Sequence, residues 1–140
     1  FLKRVGQNVK YVTSVCTGAL ILAEAGLLDG YRATTHWGWI KHLSAYPHIE
    51  VVDERVAVDR NRITGGGVTA GIDFALTLIA EVVGPPVAEA MQLVFEYRPS
   101  PPFNAGSPDS APKEVVEMVQ GLMGQRTGKL EKFIEAKRAA

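Results

Sequence analysis

Tyr11-Val12-Thr13-Ser14-Val15-Cys16-Thr17-Gly18-Ala19 is the stretch from which the fold is read. Its first half carries β-branched side chains suited to a pleated, buried surface. Its second half consists of small residues that let a helix begin close against the strand. Residues 9–15 therefore read as a strand buried on both faces, as in the centre of a parallel sheet. Residues 17–25 read as a helix rich in Ala and Leu, closed by Gly26, which tolerates a left-handed helix end. A central strand needs a neighbour on each side. The chain opens at Phe1 and its first methionine is Met91, so one or more neighbouring strands are expected before residue 1.

Outward from that turn, strand and helix patterns alternate. Residues 31–35 form a short strand and residues 37–46 a helix stopped by Pro47. Residues 49–52, 55–59 and 62–64 are short β-type runs, the last two separated by the turn-prone pair Arg60 and Asn61. A long apolar helix over residues 69–83 follows Gly65, Gly66 and Gly67 and is broken by Gly84, Pro85 and Pro86. Residues 87–97 read as another helix, with Met91, Val94 and Phe95 at helical spacing on one face. Residues 99–112 are a Pro-rich loop with Phe103 as its expected anchor, and an amphipathic helix runs from Lys113 onward. There is no internal repeat. This alternation is that of an α/β sandwich with right-handed crossovers and a mostly parallel sheet.

Composition narrows the function. With 140 residues, 46% hydrophobic and 21% charged, the chain has the make-up of a globular domain able to build a core. Fifteen Lys and Arg balance fifteen Asp and Glu, so no net field draws the chain to nucleic acid or to an anionic membrane. One cysteine excludes an internal disulfide and any multi-cysteine metal cluster, and fits a reducing cytoplasm. The apolar runs are too short to span a bilayer, and the amino end lacks a signal-peptide pattern.

Cys16 stands where a strand turns sharply into a helix, the layout of a nucleophile elbow. There the side chain projects from the carboxyl edge of the sheet. N–H groups at the start of the helix favour a thiolate over a thiol, and the Thr17 amide is positioned to stabilise charge developing on a substrate atom. A lone cysteine in an apolar segment is also a small buried hydrophobe, and the pattern alone leaves both readings open. His36 comes 20 residues later, at the end of the next strand, so parallel geometry brings it to the same sheet edge. A Cys–His pair there is a nucleophile–base arrangement; pocket lining is the alternative. Trp37 and Trp39 either wall an apolar pocket or belong to the core. His42 and His48 have no metal-ligand spacing with other ligand types.

The remaining motifs are structural. The glycine run lacks the Lys and Ser or Thr of a phosphate loop and the full dinucleotide fingerprint, and is expected to serve close packing where a strand meets a helix. Asp73 is expected to serve the amino terminus of its own helix. Basic residues from Arg126 to Arg138 alternate with Glu131 and Glu135 as a solvated helix face.

Three stretches carry a resemblance. Ser14-Val15-Cys16-Thr17-Gly18-Ala19-Leu20, with Ala25-Gly26-Leu27-Leu28-Asp29-Gly30 and Ala33-Thr34-Thr35-His36-Trp37, resembles the nucleophile region of the ThiJ/PfpI superfamily, whose members are class I glutamine amidotransferase-like. The runs Ile63-Thr64-Gly65-Gly66-Gly67-Val68-Thr69-Ala70-Gly71-Ile72-Asp73-Phe74 and Pro101-Pro102-Phe103-Asn104-Ala105-Gly106-Ser107-Pro108 are similar to its isonitrile hydratase branch. The resemblance implies a flavodoxin-like three-layer sandwich with its nucleophile elbow at Cys16, of which residues 1–140 are the carboxy-terminal two-thirds of a single domain. It implies a cytoplasmic homodimer without cofactor or metal. For this branch it implies cysteine-dependent hydration of an isonitrile to an N-substituted formamide.

In that reaction Cys16 attacks the isonitrile carbon, an acid protonates it, and water hydrolyses the thioimidate. The resemblance places Thr17 beside the nucleophile as a catalytic residue, with Gly18, His36 and Trp37 at the substrate. It assigns the acid to a carboxylate expected before residue 1, so residues 1–140 alone are expected to be inactive. Glu24 is a poor substitute, because eight residues of helix rise by roughly 12 Å. Two rival readings stay open. One is the sensor domain of an AraC-type transcription regulator, although only about thirty residues follow the Pro-rich loop, too few for two helix-turn-helix units. The other is a different activity of the superfamily: protease, glyoxalase-like or redox and stress response. Oxidation of a reactive Cys16 is expected in all of them.

Overall fold

Strand β1 occupies Val12–Val15 in the computed structural model, shorter than the apolar run that contains it. The model describes residues 1–138, and every side chain except those of residues 125–126, 129–130 and 133–138. Val9 is 38% exposed and the polar residues around it form a turn. Before that turn comes a short helix that the sequence pattern did not announce, α1 (Leu2–Val5). It closes onto Gly6, where an added Cβ would lie 2.6 Å from the Leu27 side chain.

After β1 the chain enters α2 (Gly18–Glu24) and returns through β2 (Arg32–Ala33), a 3₁₀ turn (Trp37–Trp39), α3 (Ile40–Leu43) and β3 (Glu50–Val51). The single helix expected over residues 37–46 is thus split. His36 starts it as a 3₁₀ turn by accepting the Gly38 N–H on its ring, and it ends at Ser44, before Pro47. The hairpin β4 (Val56–Asp59) and β5 (Arg62–Gly65) turns through Arg60, whose φ is +53°. Then come α4 (Ala70–Val83) and α5 (Pro85–Val94). Only Gly84, with φ +114°, breaks these two helices. Pro85 and Pro86 open α5 rather than extend the break, because a proline lacks the N–H that the first turn leaves unpaired anyway.

The main sheet has the order β1-β5-β4. β1 and β5 run parallel, Val12 opposite Arg62 and Val15 opposite Gly65, and β4 pairs antiparallel with β5. β2 and β3 form a second, parallel pair. Since side chains alternate along a strand, the two faces can be assigned. A Cβ on Gly65 would meet Phe74 of α4 at 3.3 Å, whereas Ser14 Cβ lies on the α2 side, under Gly18. Helix α4 therefore covers one face and α2 the other, three layers in all. The core on the α2 side gathers Val12, Ala19, Leu22, Leu27, Leu28, Ala33, Leu43 and Ile49.

The chain divides into two compact units, Phe1–Pro99 and the part from Ser100 onward. In the second, residues 100–112 hold no helix or strand and α6 spans Lys113–Arg138. Phe103 of that loop is 79% exposed. Of the charged residues expected to form a solvated face from Arg126 to Arg138, all but Glu131 and Lys132 lie outside the described side chains.

Candidate functional site

Cys16 follows the last residue of β1 and has φ +57°, one of three non-glycine residues with positive φ among those described. A left-handed backbone costs an L-residue roughly 1–2 kcal/mol and persists only where the surroundings hold it. Here they do. The Cys16 N–H is shared between the carbonyl oxygens of Gly65 and Gly66, both at 2.9 Å. Its own carbonyl oxygen accepts the Thr35 hydroxyl at 2.8 Å and, more weakly, the Ala19 N–H at 3.3 Å. Cys16 is half-buried and its thiol is free. Thr17 is exposed and caps α2 without a side-chain hydrogen bond. Gly18 packs closely on β1: a Cβ there would stand 3.2 Å from Ser14 Cβ.

The Thr35 hydrogen bond also brings the segment after β2 to the elbow. Thr34 N–H donates to the Thr64 hydroxyl at 2.8 Å, fixing that segment against β5. His36 follows, half-buried, and burial lowers its pKa from the ordinary histidine value. Its Nδ1 accepts the Gly38 N–H at 3.1 Å, which leaves the ring proton on Nε2. Its Cδ2 edge lies over Gly67, where a Cβ would approach to 3.1 Å. With Nδ1 occupied and Nε2 protonated, His36 has no free lone pair with which to take a thiol proton. No hydrogen bond joins it to Cys16 among the described residues. Trp37 is half-exposed, with its ring centroid 5.5 Å from that of His36. Trp39 is buried in the core.

The three glycines act as close-packing residues. Gly65 and Gly67 admit Phe74 and His36, and Gly66 N–H donates to the Arg55 carbonyl at 2.9 Å. Asp73 does more than serve its helix. The Tyr97 hydroxyl lies 3.1 Å from both its carboxylate oxygens and Arg55 Nε pairs with it, while Arg55 Nη2 reaches Thr69 Oγ1 at 3.2 Å. Glu24 sits at the far end of α2, bound to the Tyr46 hydroxyl at 3.2 Å. Sequence reasoning missed both Thr35 and this clamp. The signal for Thr35 was a threonine pair at the end of a buried strand, where a hydroxyl needs a partner. Among the described residues no group of three His, Cys, Asp or Glu is placed to hold a metal ion, and no helix is long and apolar enough to cross a membrane.

Residues 1–81 match the family model described as the DJ-1/PfpI family. The chain belongs to the DJ-1/PfpI family. Among its relatives is the isonitrile hydratase of Pseudomonas putida, 55% identical over 117 residues, which cover 84% of this chain and 51% of that protein. The HTH-type transcriptional regulator CdhR of Pseudomonas aeruginosa is 44% identical over 89 residues, 63% of this chain and 26% of the regulator. A crystal structure of a ThiJ/PfpI family protein from Pseudomonas syringae superimposes with a TM-score of 0.81 at 46% identity, covering 96% of this chain and 54% of that one. This DJ-1/PfpI chain thus has the flavodoxin-like α/β fold of its neighbours, and it spans about half the length of the isonitrile hydratase and of that solved structure.

Proposed function

We propose that this DJ-1/PfpI chain carries the cysteine centre of an isonitrile hydratase. The observation that carries the reading is the 55% identity to the Pseudomonas putida enzyme over 117 residues; the elbow and the glycine turn lie within residues 1–81, which match the family model. The geometry supports it: a free thiol on a half-buried residue whose left-handed backbone is held by three neighbouring groups.

In the proposed reaction the Cys16 sulfur donates an electron pair to the terminal isonitrile carbon, and a general acid delivers a proton to that same carbon. The product is a thioimidate, with one new S–C and one new C–H bond. Water then adds to the carbon, a proton passes to nitrogen, and the C–S bond breaks to return the sulfur and release an N-substituted formamide. One water is consumed per isonitrile. Thr17 orients the water or the acid, its amide N–H stabilising charge at the reacting atoms. Gly18 lies at the substrate through its backbone alone, while His36 and Trp37 line its apolar part. A homodimer in the cytoplasm is part of the same reading.

The test is incubation of the full-length protein with a simple alkyl isonitrile, with formamide followed by NMR. Formation of formamide, abolished by Cys16→Ala, is the expected result; turnover that survives the substitution removes Cys16 from the chemistry. The match to the regulator CdhR favours a second reading, a sensor domain that uses the same elbow to bind a small molecule. Saturable binding of the isonitrile without any formamide would select it.

A further inference from the structure

We infer that Thr35 is a positioning residue for the Cys16 centre, its hydroxyl fixing the plane of the Cys16–Thr17 peptide and with it the direction of the Thr17 N–H. This rests on the reading of Cys16 as nucleophile. Thr35 is 3% exposed, and its Oγ1 lies 2.8 Å from the Cys16 carbonyl oxygen. A carbonyl oxygen can only accept, so the hydroxyl is the donor. The carbonyl belongs to the same planar, trans unit as the Thr17 N–H, and in such a unit the two bonds point in opposite directions. Drawing the carbonyl inward to a buried hydroxyl therefore turns the N–H outward, to the side where Thr17 is exposed. No hydrogen bond occupies that N–H among the described residues, so it is free to face charge on the sulfur or the substrate. Donation to the carbonyl also polarises the amide and makes its N–H a stronger donor.

The arrangement holds Thr35 in turn. Thr34 N–H is bound to Thr64 Oγ1 at 2.8 Å, and Val52 N–H to the Ala33 carbonyl at 3.0 Å. The hydroxyl is thus presented from a segment tied to β5 and to the residue that follows β3. The Gly65 and Gly66 carbonyls fix the N–H of Cys16, and Thr35 fixes its carbonyl. Without the hydroxyl the Cys16 carbonyl keeps only the weaker Ala19 N–H at 3.3 Å, and the Cys16–Thr17 plane can rock.

The experiment compares Thr35→Val, which keeps the shape and removes the donor, with Thr35→Ser, which keeps the donor. Two readouts are taken on the full-length protein: steady-state kinetics on an alkyl isonitrile, and the rate of Cys16 alkylation by iodoacetamide at one fixed pH. Thr35→Val should lower kcat by about tenfold with KM changed less than about twofold, and slow alkylation to a similar degree, while Thr35→Ser stays within about threefold on both. A folded Thr35→Val protein with unchanged kcat and alkylation overturns the inference. So does a Thr35→Ser protein as slow as Thr35→Val, which would assign the effect to the methyl group. If Thr35→Val does not unfold cooperatively, NMR of the unmutated protein decides: a slowly exchanging Thr35 hydroxyl proton supports the inference, and exchange too fast to observe overturns it. If the unmutated protein leaves isonitriles untouched, the substrate reading fails by itself, and the alkylation rates still decide the role of Thr35.

Discussion

The Nε of Arg62 donates to the Leu27 carbonyl oxygen at 2.6 Å, tying the inner strand β5 to the turn that follows α2. Arg62 is 8% exposed, and its Nη1 reaches the Asn61 side chain at 2.8 Å. Its guanidinium also lies 4.5 Å from the Tyr31 ring centroid, the ring on which Arg60 stacks at 3.7 Å. A buried charge is tolerated only when hydrogen bonds replace its water, and a planar fork with several donors does this where an ammonium group cannot. Arg62→Lys should therefore lower stability by about 1–3 kcal/mol, read as a lower urea midpoint at unchanged slope. A midpoint equal to that of the unmutated protein would mean that these bonds contribute nothing net.

Gly18 and Ser14 set the distance between α2 and β1. A Cβ at Gly18 would lie 3.2 Å from Ser14 Cβ, and Ser14 cannot retreat because it is paired in register with Thr64. Helix propensity by itself favours Ala over Gly by about 1 kcal/mol; the close approach opposes it. Gly18→Ala should lower stability, and Gly18→Ala with Ser14→Gly should recover more than the sum of the single effects predicts. Thermal melts of the three variants check this. Strict additivity would show that the helix shifts without resistance.

Much of the layout could be read in advance, because it rests on local chemistry. The strand-turn-helix at Cys16, the hairpin turn at Arg60 and the stop at Gly84 each follow from side-chain type within a few residues. What escaped depends on pairs distant in sequence. Nothing near Thr35 indicates that its hydroxyl meets the Cys16 carbonyl. Nothing near Asp73 indicates Tyr97 and Arg55. The helix expected over residues 37–46 was split for the same kind of reason. The His36 ring accepts the Gly38 N–H and starts a tighter turn, a competition between side chain and backbone that apolar periodicity does not register. Pro85 shows a different fault: a proline after a helix marks a stop, yet it serves equally as the start of the next helix.

His36 makes stability depend on pH with a definite sign. Burial lowers its pKa in the folded chain below the ordinary value of 6.5, and protonating Nδ1 would also set two donors against each other at Gly38. The unfolded chain therefore binds the proton first as pH falls. The contribution of His36 is fully present above pH 6.5 and is lost as pH falls from there through the lower folded value. His36→Asn keeps an acceptor suited to starting a helical turn and removes the titration. Between about pH 7 and pH 5 its urea midpoint should fall less than that of the unmutated protein. Parallel curves for the two would place the pH sensitivity elsewhere.

Tyr97 and Arg55 converge on Asp73, whose side chain is 31% exposed. Tyr97→Phe removes a hydroxyl that lies 3.1 Å from both carboxylate oxygens and leaves the ring in place. Since Asp73 keeps Arg55 and some water, the loss should be modest, about 1 kcal/mol. A double-mutant cycle with Asp73→Ala tests whether the two act together: Tyr97→Phe should cost almost nothing once Asp73 is gone. Equal costs in both backgrounds would assign the effect to Tyr97 packing instead.

The positive φ of Cys16 separates stability from chemistry at the elbow. At φ +57° a side chain is strained whatever its identity, whereas glycine is not. Cys16→Ala and Cys16→Gly both remove the sulfur, so each should abolish hydration of an isonitrile. They should differ in stability, however, because alanine keeps the Cβ that clashes in the left-handed region. Glycine loses more freedom on folding, which works against it, but the relief of roughly 1–2 kcal/mol exceeds that loss of about 0.5–1 kcal/mol. Cys16→Gly should therefore melt above Cys16→Ala. If the alanine variant were the more stable of the two, the backbone must relax out of the left-handed region once the thiol is removed, and the sulfur itself would be what holds the elbow in its strained form.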